Sequence, residues 1–280
     1  MTELSANKCF GGMQKVFSHS SRSTGTEMTL GLYLPPQVRE GPVPLIVFLA
    51  GLTCTHENAM VKAGAQRLCA DIGLAFMTPD TSPRGLELDG EHDRYDFGSG
   101  AGFYLDATEA PWAENYRMYS YVAHELPELV LTEFAEIDAG RLGLTGHSMG
   151  GHGALTIGLK NPDRFKSVSA LAPIASPINC PWGQNALPRY IGDNKGVWRQ
   201  YDACALIEDG HRVPEIMVDQ GLNDEFMNSQ LKPDLLERAC SDHGQSLQMR
   251  YQEGYDHSYF FISSFLGDHL HWAADHLQAT

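Results

Sequence analysis

Residues 141–159 read RLGLTGHSMGGHGALTIGL, and their centre, Gly146-His147-Ser148-Met149-Gly150, decides how the chain is read. Leu142 and Leu144 alternate as on a strand, whereas Ala154, Leu155, Ile157 and Leu159 recur at helical spacing. A strand that turns into a helix within one tight turn strains the residue at the corner and needs small neighbours. Gly146, Gly150 and Gly151 supply them. Such a turn lifts the Ser148 hydroxyl clear of the backbone at a helix N-terminus, with the Met149 amide aimed at any anion formed there. The pentapeptide alone would be weak, since a glycine-rich turn with an idle serine reads the same way. The strand before it and the helix after it favour a nucleophile.

Outward from this point, strands and helices alternate. Residues 13–20 and 27–34 read as strands joined by a turn. The run VPLIVFLA within 42–50 is continuously apolar, as in a strand covered on both faces. Glu57–Ile72 reads as an amphipathic helix, Leu74–Pro79 as a buried strand, and Tyr116–Phe134 as a helix despite Pro127. Ser167–Ala172, Glu215–Asp219 and Leu247–Glu253 read as further strands. Asn228–His243 and Tyr259–Leu277 read as helices. The alternation predicts a mostly parallel central sheet with helices on both faces, an α/β fold in one domain over residues 1–280. Two segments, about 81–115 and 173–212, read as irregular insertions, the second with a short helix near Val197–Ile207. In such folds ligands bind beyond the C-terminal strand ends, where the loops after positions 50, 80, 219 and 253 meet the serine turn.

The composition narrows the function. A net charge of −15 argues against nucleic acid and anionic membranes as partners. The six cysteines are scattered without paired spacing and read as reduced thiols of a cytoplasmic protein. Residues 1–14 have neither a basic start nor an apolar core, so no secretory signal is expected, and no apolar run is long enough to span a bilayer.

A serine hydroxyl needs a base, and in this fold the acid and then the histidine follow it in the chain. His257 stands just after the last strand, ahead of the apolar closing helix, and is the preferred base over a helix-capping role. Asp219 and Asp224 compete as the acid. Asp224 is preferred because it stands farther out from the strand end, within reach of the imidazole. Two amide donors are needed for an oxyanion, and Met149 and Leu52, the latter on the loop after Ala50, are the candidates. Cys54 beside that loop reads equally as a buried thiol or as a residue at the pocket edge.

Several segments together resemble the esterase D family of α/β-hydrolases, the S-formylglutathione hydrolases. They are Gly51-Leu52-Thr53-Cys54, Asp80 to Gly85, Asp96-Phe97-Gly98 with Gly100 to Tyr104, Tyr116 to Tyr119, and Gly146 to Gly153. Cys180 to Gly183, Asp219 to Gly221 with Asp224, and Asp256 to Tyr259 complete the set. The resemblance covers nearly the whole chain. It implies a Ser148, Asp224, His257 triad, oxyanion donors at Leu52 and Met149, no metal or cofactor, and a cytoplasmic homodimer. It also implies hydrolysis of a glutathione thioester, with Cys54 close to the active site. A general short-chain carboxylesterase is the alternative activity, and a non-catalytic binding protein on the same fold the alternative of another class. The glutathione carboxylates call for local cations, for which Lys62 and Arg84 are the candidates, and Trp182 is expected to wall the acyl pocket. One local departure stands out: Tyr95 occupies a position where the resemblance leads one to expect tryptophan.

Overall fold

The computed structural model describes residues 1–278. Among the described residues nine strands form one sheet: β1 (Thr2–Cys9), β2 (Gly12–Ser20), β3 (Glu27–Leu34), β4 (Val43–Leu49), β5 (Ala75–Pro79), β6 (Ile137–Gly146), β7 (Phe165–Leu171), β8 (Ile216–Gly221) and β9 (Leu247–Gln252). Their order is β1-β2-β3-β5-β4-β6-β7-β8-β9. The pairs from β1 to β5 are antiparallel, and every pair from β5 through β4 to β9 is parallel.

The continuous apolar run predicted for β4 is buried at every position, as befits a strand covered on both faces. Period-two alternation on β8 shows how the two helical layers are assigned. Ile216 and Val218 join a core with Leu206, Leu236 and Cys240, while Asp219 on the opposite face bonds His269 of the closing helix Tyr259–Gln278. Among the described residues no helix is long and apolar enough to cross a membrane.

Four local differences from the sequence reading have physical causes. Strand β1 was not anticipated, because TELSANKC lacks an apolar face; it is an exposed edge strand held by its pairing with β2. The single helix expected over Glu57–Ile72 is two, His56–Lys62 and Ala65–Ile72, separated at Gly64 with a left-handed φ of 73°. The helix expected over Asn228–His243 is broken at Lys232, with a wide helical turn over Met227–Leu231 before it and an α-helix Pro233–His243 after it, because a residue preceding proline is pushed out of the right-handed helical region; Lys232 has a φ of 54°. Within 173–212 the chain is more regular than expected, with an eleven-residue helix, Pro181–Ile191. Pro181 suits its first turn, where an amide hydrogen is dispensable, but Gly183 and Pro188 disguise it in the sequence.

Pro127, by contrast, is accommodated within the expected helix. A wide turn over Tyr121–Glu125 precedes it. The Ala123 carbonyl, which Pro127 cannot serve, accepts a bond of 2.7 Å from the Arg164 guanidinium.

The turn after β6 has no room for side chains at two of its glycines. A Cβ on Gly146 would come within 2.8 Å of the Leu49 carbonyl oxygen, and one on Gly150 would overlap that same carbonyl and lie 2.6 Å from the Ala50 oxygen. Both obstacles are backbone. Gly150→Ala is therefore expected to lower stability by about 3 kcal/mol, the upper range for overpacking. Urea unfolding of the two proteins checks this, and an unchanged midpoint would show that the turn yields.

Candidate active site

Ser148 stands at the start of helix Met149–Lys160 with a φ of 58° and a ψ of −118°. A non-glycine residue held there is strained, so its surroundings must enforce the conformation. They do so from both flanking strands. The His147 amide donates to the Leu49 carbonyl at 3.0 Å, and the Ser148 amide donates to Leu171 at 3.1 Å. The Ser148 carbonyl in turn accepts from His152 and Ile174.

The loops after β8 and β9 are stitched together before either reaches Ser148. Leu222 donates to the Gln252 carbonyl at 3.0 Å and Asn223 to Tyr255 at 2.9 Å. The stitching brings Asp224 and His257 face to face, with a 2.6 Å bond between Asp224 Oδ2 and His257 Nδ1. The same carboxylate accepts from the Phe226 amide at 2.8 Å and from Gln220 Nε2 at 3.2 Å. With Nδ1 committed to the carboxylate, Nε2 is the nitrogen left for other work. The His257 ring lies between His147, at 4.3 Å between centroids, and Phe226, at 5.1 Å. Burial, and secondarily the neighbouring His257, push the His147 pKa well below the usual histidine value, so His147 is neutral near pH 7.

Asp219, the competing acid, is committed elsewhere. Its carboxylate, fully buried, accepts from Arg250, from Gln252 at 2.6 Å and from His269 at 2.8 Å. Burial works against its charge, but the bonds from His269 and Arg250 outweigh this and lower its pKa. Asp256, beside His257, faces outward and caps Ser258.

The loop after β4 is clamped at three points. The Tyr104 hydroxyl donates to the Ala50 carbonyl at 2.9 Å, Thr53 donates its amide to Gly100 at 2.9 Å, and the Cys54 carbonyl accepts from Thr81 and Arg84. Between these clamps the Leu52 amide meets no acceptor among the described residues, and neither does the Met149 amide. Gly51 brings the loop against the serine: a Cβ there would lie 3.2 Å from Ser148 Cβ.

A cavity of about 290 Å³ joins these parts, lined by Leu52, Cys54, Tyr95, His147, Ser148, Trp182, Phe226, His257 and Tyr259 among others. Trp182 packs on Phe226 at 4.9 Å and donates its indole hydrogen to the Tyr95 hydroxyl at 2.9 Å. Burial raises the Cys54 pKa, and its partner is the Tyr259 hydroxyl, so the group facing the cavity is a protonated thiol. The two expected cations fare differently. Lys62 is exposed, with Nζ 5.7 Å from the centre of the Tyr259 ring at the rim. Arg84 is not free for a ligand: its Nε and Nη2 bond Asp80, Nη1 bonds Ser99 and Nη2 also bonds the Cys54 carbonyl. Sequence reasoning missed the contributions of Phe226, Tyr104 and His147, of which only His147, next to the serine, carried a local signal.

Residues 21–274 match the Esterase family model. The S-formylglutathione hydrolase of Paracoccus denitrificans is 52% identical over 274 residues, covering 98% of this chain and 97% of its own. The mouse enzyme of the same name is 48% identical and covers 100% and 99%. A solved S-formylglutathione hydrolase from Agrobacterium tumefaciens superposes with a TM-score of 0.97 at 50% identity, covering 99% of this chain and 100% of its own. A ferulic acid esterase shares the fold at a TM-score of 0.70 and 17% identity. The chain is a hydrolase, and it belongs to the S-formylglutathione hydrolase family of esterases.

Proposed function

We propose that this protein hydrolyses S-formylglutathione to formate and glutathione, with Ser148 as nucleophile, His257 as base and Asp224 as its orienting partner. The observation that carries the reading is the Asp224–His257 pair bonded at 2.6 Å beside the same cavity as Ser148, in a chain that matches the Paracoccus denitrificans enzyme along 98% of its length. Ser148 Oγ attacks the formyl carbon while His257 Nε2 takes its proton. The carbonyl oxygen becomes an anion between the amides of Leu52 and Met149. Loss of one such donor typically slows catalysis about 10²- to 10³-fold.

The carbon–sulfur bond then breaks. The His257 imidazolium passes its proton to the departing sulfur and is neutral again, although a thiol pKa of about 8.5 makes glutathione a far better leaving group than an alcohol and this help less important than with an oxygen ester. In the second half His257 removes a proton from water, which attacks the formyl-serine, and returns that proton to Ser148 Oγ as formate leaves. Cys54, with a protonated thiol, serves as pocket wall, and Trp182 bounds the acyl side. Lys62 is the candidate cation for a glutathione carboxylate. A cytoplasmic homodimer completes the reading, and six unpaired cysteines support a reducing compartment.

A steady-state comparison of S-formylglutathione with p-nitrophenyl acetate and butyrate tests the substrate. At least about a tenfold advantage in kcat/KM for the thioester is expected, since the site would discriminate through contacts with the thiol half. Equal or better turnover of the oxygen esters would instead make this a general short-chain carboxylesterase.

A further inference from the structure

We propose that Tyr95 reads the thiol half of the substrate, donating its phenolic hydrogen to a carbonyl or carboxylate oxygen of the glutathione arm. The inference rests on the S-formylglutathione reading and adds a residue to it. Among the described residues no lysine or arginine lines the cavity. Acceptors on a bound peptide thiol are therefore met within the cavity by neutral donors, Lys62 reaching only its rim. The Ser258 hydroxyl is given to Asp256 at 2.7 Å, and the Tyr259 hydroxyl is paired with Cys54. Thr53, His147 and Tyr95 remain, and the His147 ring is buried against His257.

Of these, Tyr95 has its oxygen fixed by another side chain. It accepts the Trp182 indole hydrogen at 2.9 Å, and its own hydrogen meets no acceptor among the described residues. Accepting one bond both directs the hydroxyl hydrogen away from Trp182 and polarises it for donation. Tyr95 is also 57% exposed, which places it at the cavity mouth, where the long thiol arm must run, and not beside a one-carbon acyl group at Ser148.

Its mount is rigid despite that exposure. Arg94 bonds both oxygens of Asp96 at 2.8 and 3.1 Å, and Asp96 also accepts from Asn185 at 3.3 Å. Phe97 stacks on Tyr190 at 4.5 Å. Asn185, Tyr190 and Trp182 all belong to helix Pro181–Ile191, so the turn carrying Tyr95 is tied to the helix that carries its partner. A donor held in place costs less to use than one that must be ordered on binding.

The test compares the unsubstituted protein and Tyr95→Phe on S-acetylglutathione, on S-acetyl-N-acetylcysteamine (the same acyl group without the γ-glutamyl and glycyl arms) and on p-nitrophenyl acetate. The variant leaves the Trp182 indole hydrogen without this acceptor, so its thermal midpoint is measured alongside to show that it is folded at the assay temperature. KM for S-acetylglutathione is expected to rise about 3- to 10-fold, the range for one lost hydrogen bond, with kcat unchanged and the other two substrates unaffected. A KM that does not move overturns the proposal. So does an equal rise on all three substrates, which would mean that Tyr95 acts through Trp182 on the acyl side. The unsubstituted protein tests the underlying reading separately. A preference for S-acetylglutathione over the cysteamine thioester, with no Tyr95 effect, sinks this proposal alone. Absence of any such preference sinks both.

Discussion

His257→Ala is expected to lower kcat about 10⁴- to 10⁶-fold, the range seen when one member of a nucleophile–base pair is lost. The two halves of the reaction should not suffer equally. Thiolate departs readily without a proton, so acylation of Ser148 retains a slow route, whereas water has no base to activate it. The neighbouring His147 does not substitute easily. It is buried, and its pKa is driven well below the usual range by burial, so it is a poor acceptor for water's proton. The variant should therefore accumulate acyl-enzyme, visible by intact mass as one added acyl group, after releasing about one thiol equivalent per chain. Turnover at the parental rate would remove His257 from the mechanism. No adduct on Ser148, despite thiol release, would remove the serine instead.

Asp224→Asn should cost about 10⁴-fold in kcat with little loss of stability, and the hydrogen bonds around the carboxylate say why. Oδ1 accepts from the Phe226 backbone amide at 2.8 Å, while Oδ2 faces His257 and Gln220 Nε2. An asparagine must keep its single oxygen toward the backbone donor, because a backbone amide cannot swing away as the Gln220 side chain can. Its NH₂ group then points at His257 Nδ1 and donates to it. The proton of the neutral imidazole moves to Nε2, the nitrogen that must stay free to take the serine's proton. A loss of less than tenfold, with the protein folded by circular dichroism, would show that His257 is oriented by something other than this carboxylate.

Much of this was legible in the sequence, and what escaped has a common cause. The sheet core was visible because β4 and β5 carry the apolar runs of strands covered on both faces, while Val168 and Ala170 in β7 and Ile216 and Val218 in β8 recur at every second position. Strand β1 was invisible because an edge strand with no buried face owes its existence to a neighbour's backbone. Ser148 and His257 announced themselves by motif and by position after a strand. Asp224 is preferred over Asp219 from the sequence for standing farther beyond the strand end, but the bonds from Arg250 and His269 that commit Asp219 join parts far apart in the chain and leave no local trace. Arg84 misled for the converse reason. A cation near a strand end looks available until Asp80, four residues earlier, is seen to hold it. Phe226 and Tyr104 act only through neighbours brought from elsewhere, so no local pattern could have named their parts.

The bonds that tie Leu222 and Asn223 to the loop after β9, and His147 and Ser148 to the ends of β4 and β7, spread the proposed reactive groups over four strands of one continuous sheet. On the mechanism proposed above, a fragment lacking any one of these strands would lack part of the centre. Esterase activity in this molecule is consequently a gauge of global integrity: it vanishes when cooperative order is lost anywhere between the middle of the sheet and its β9 edge.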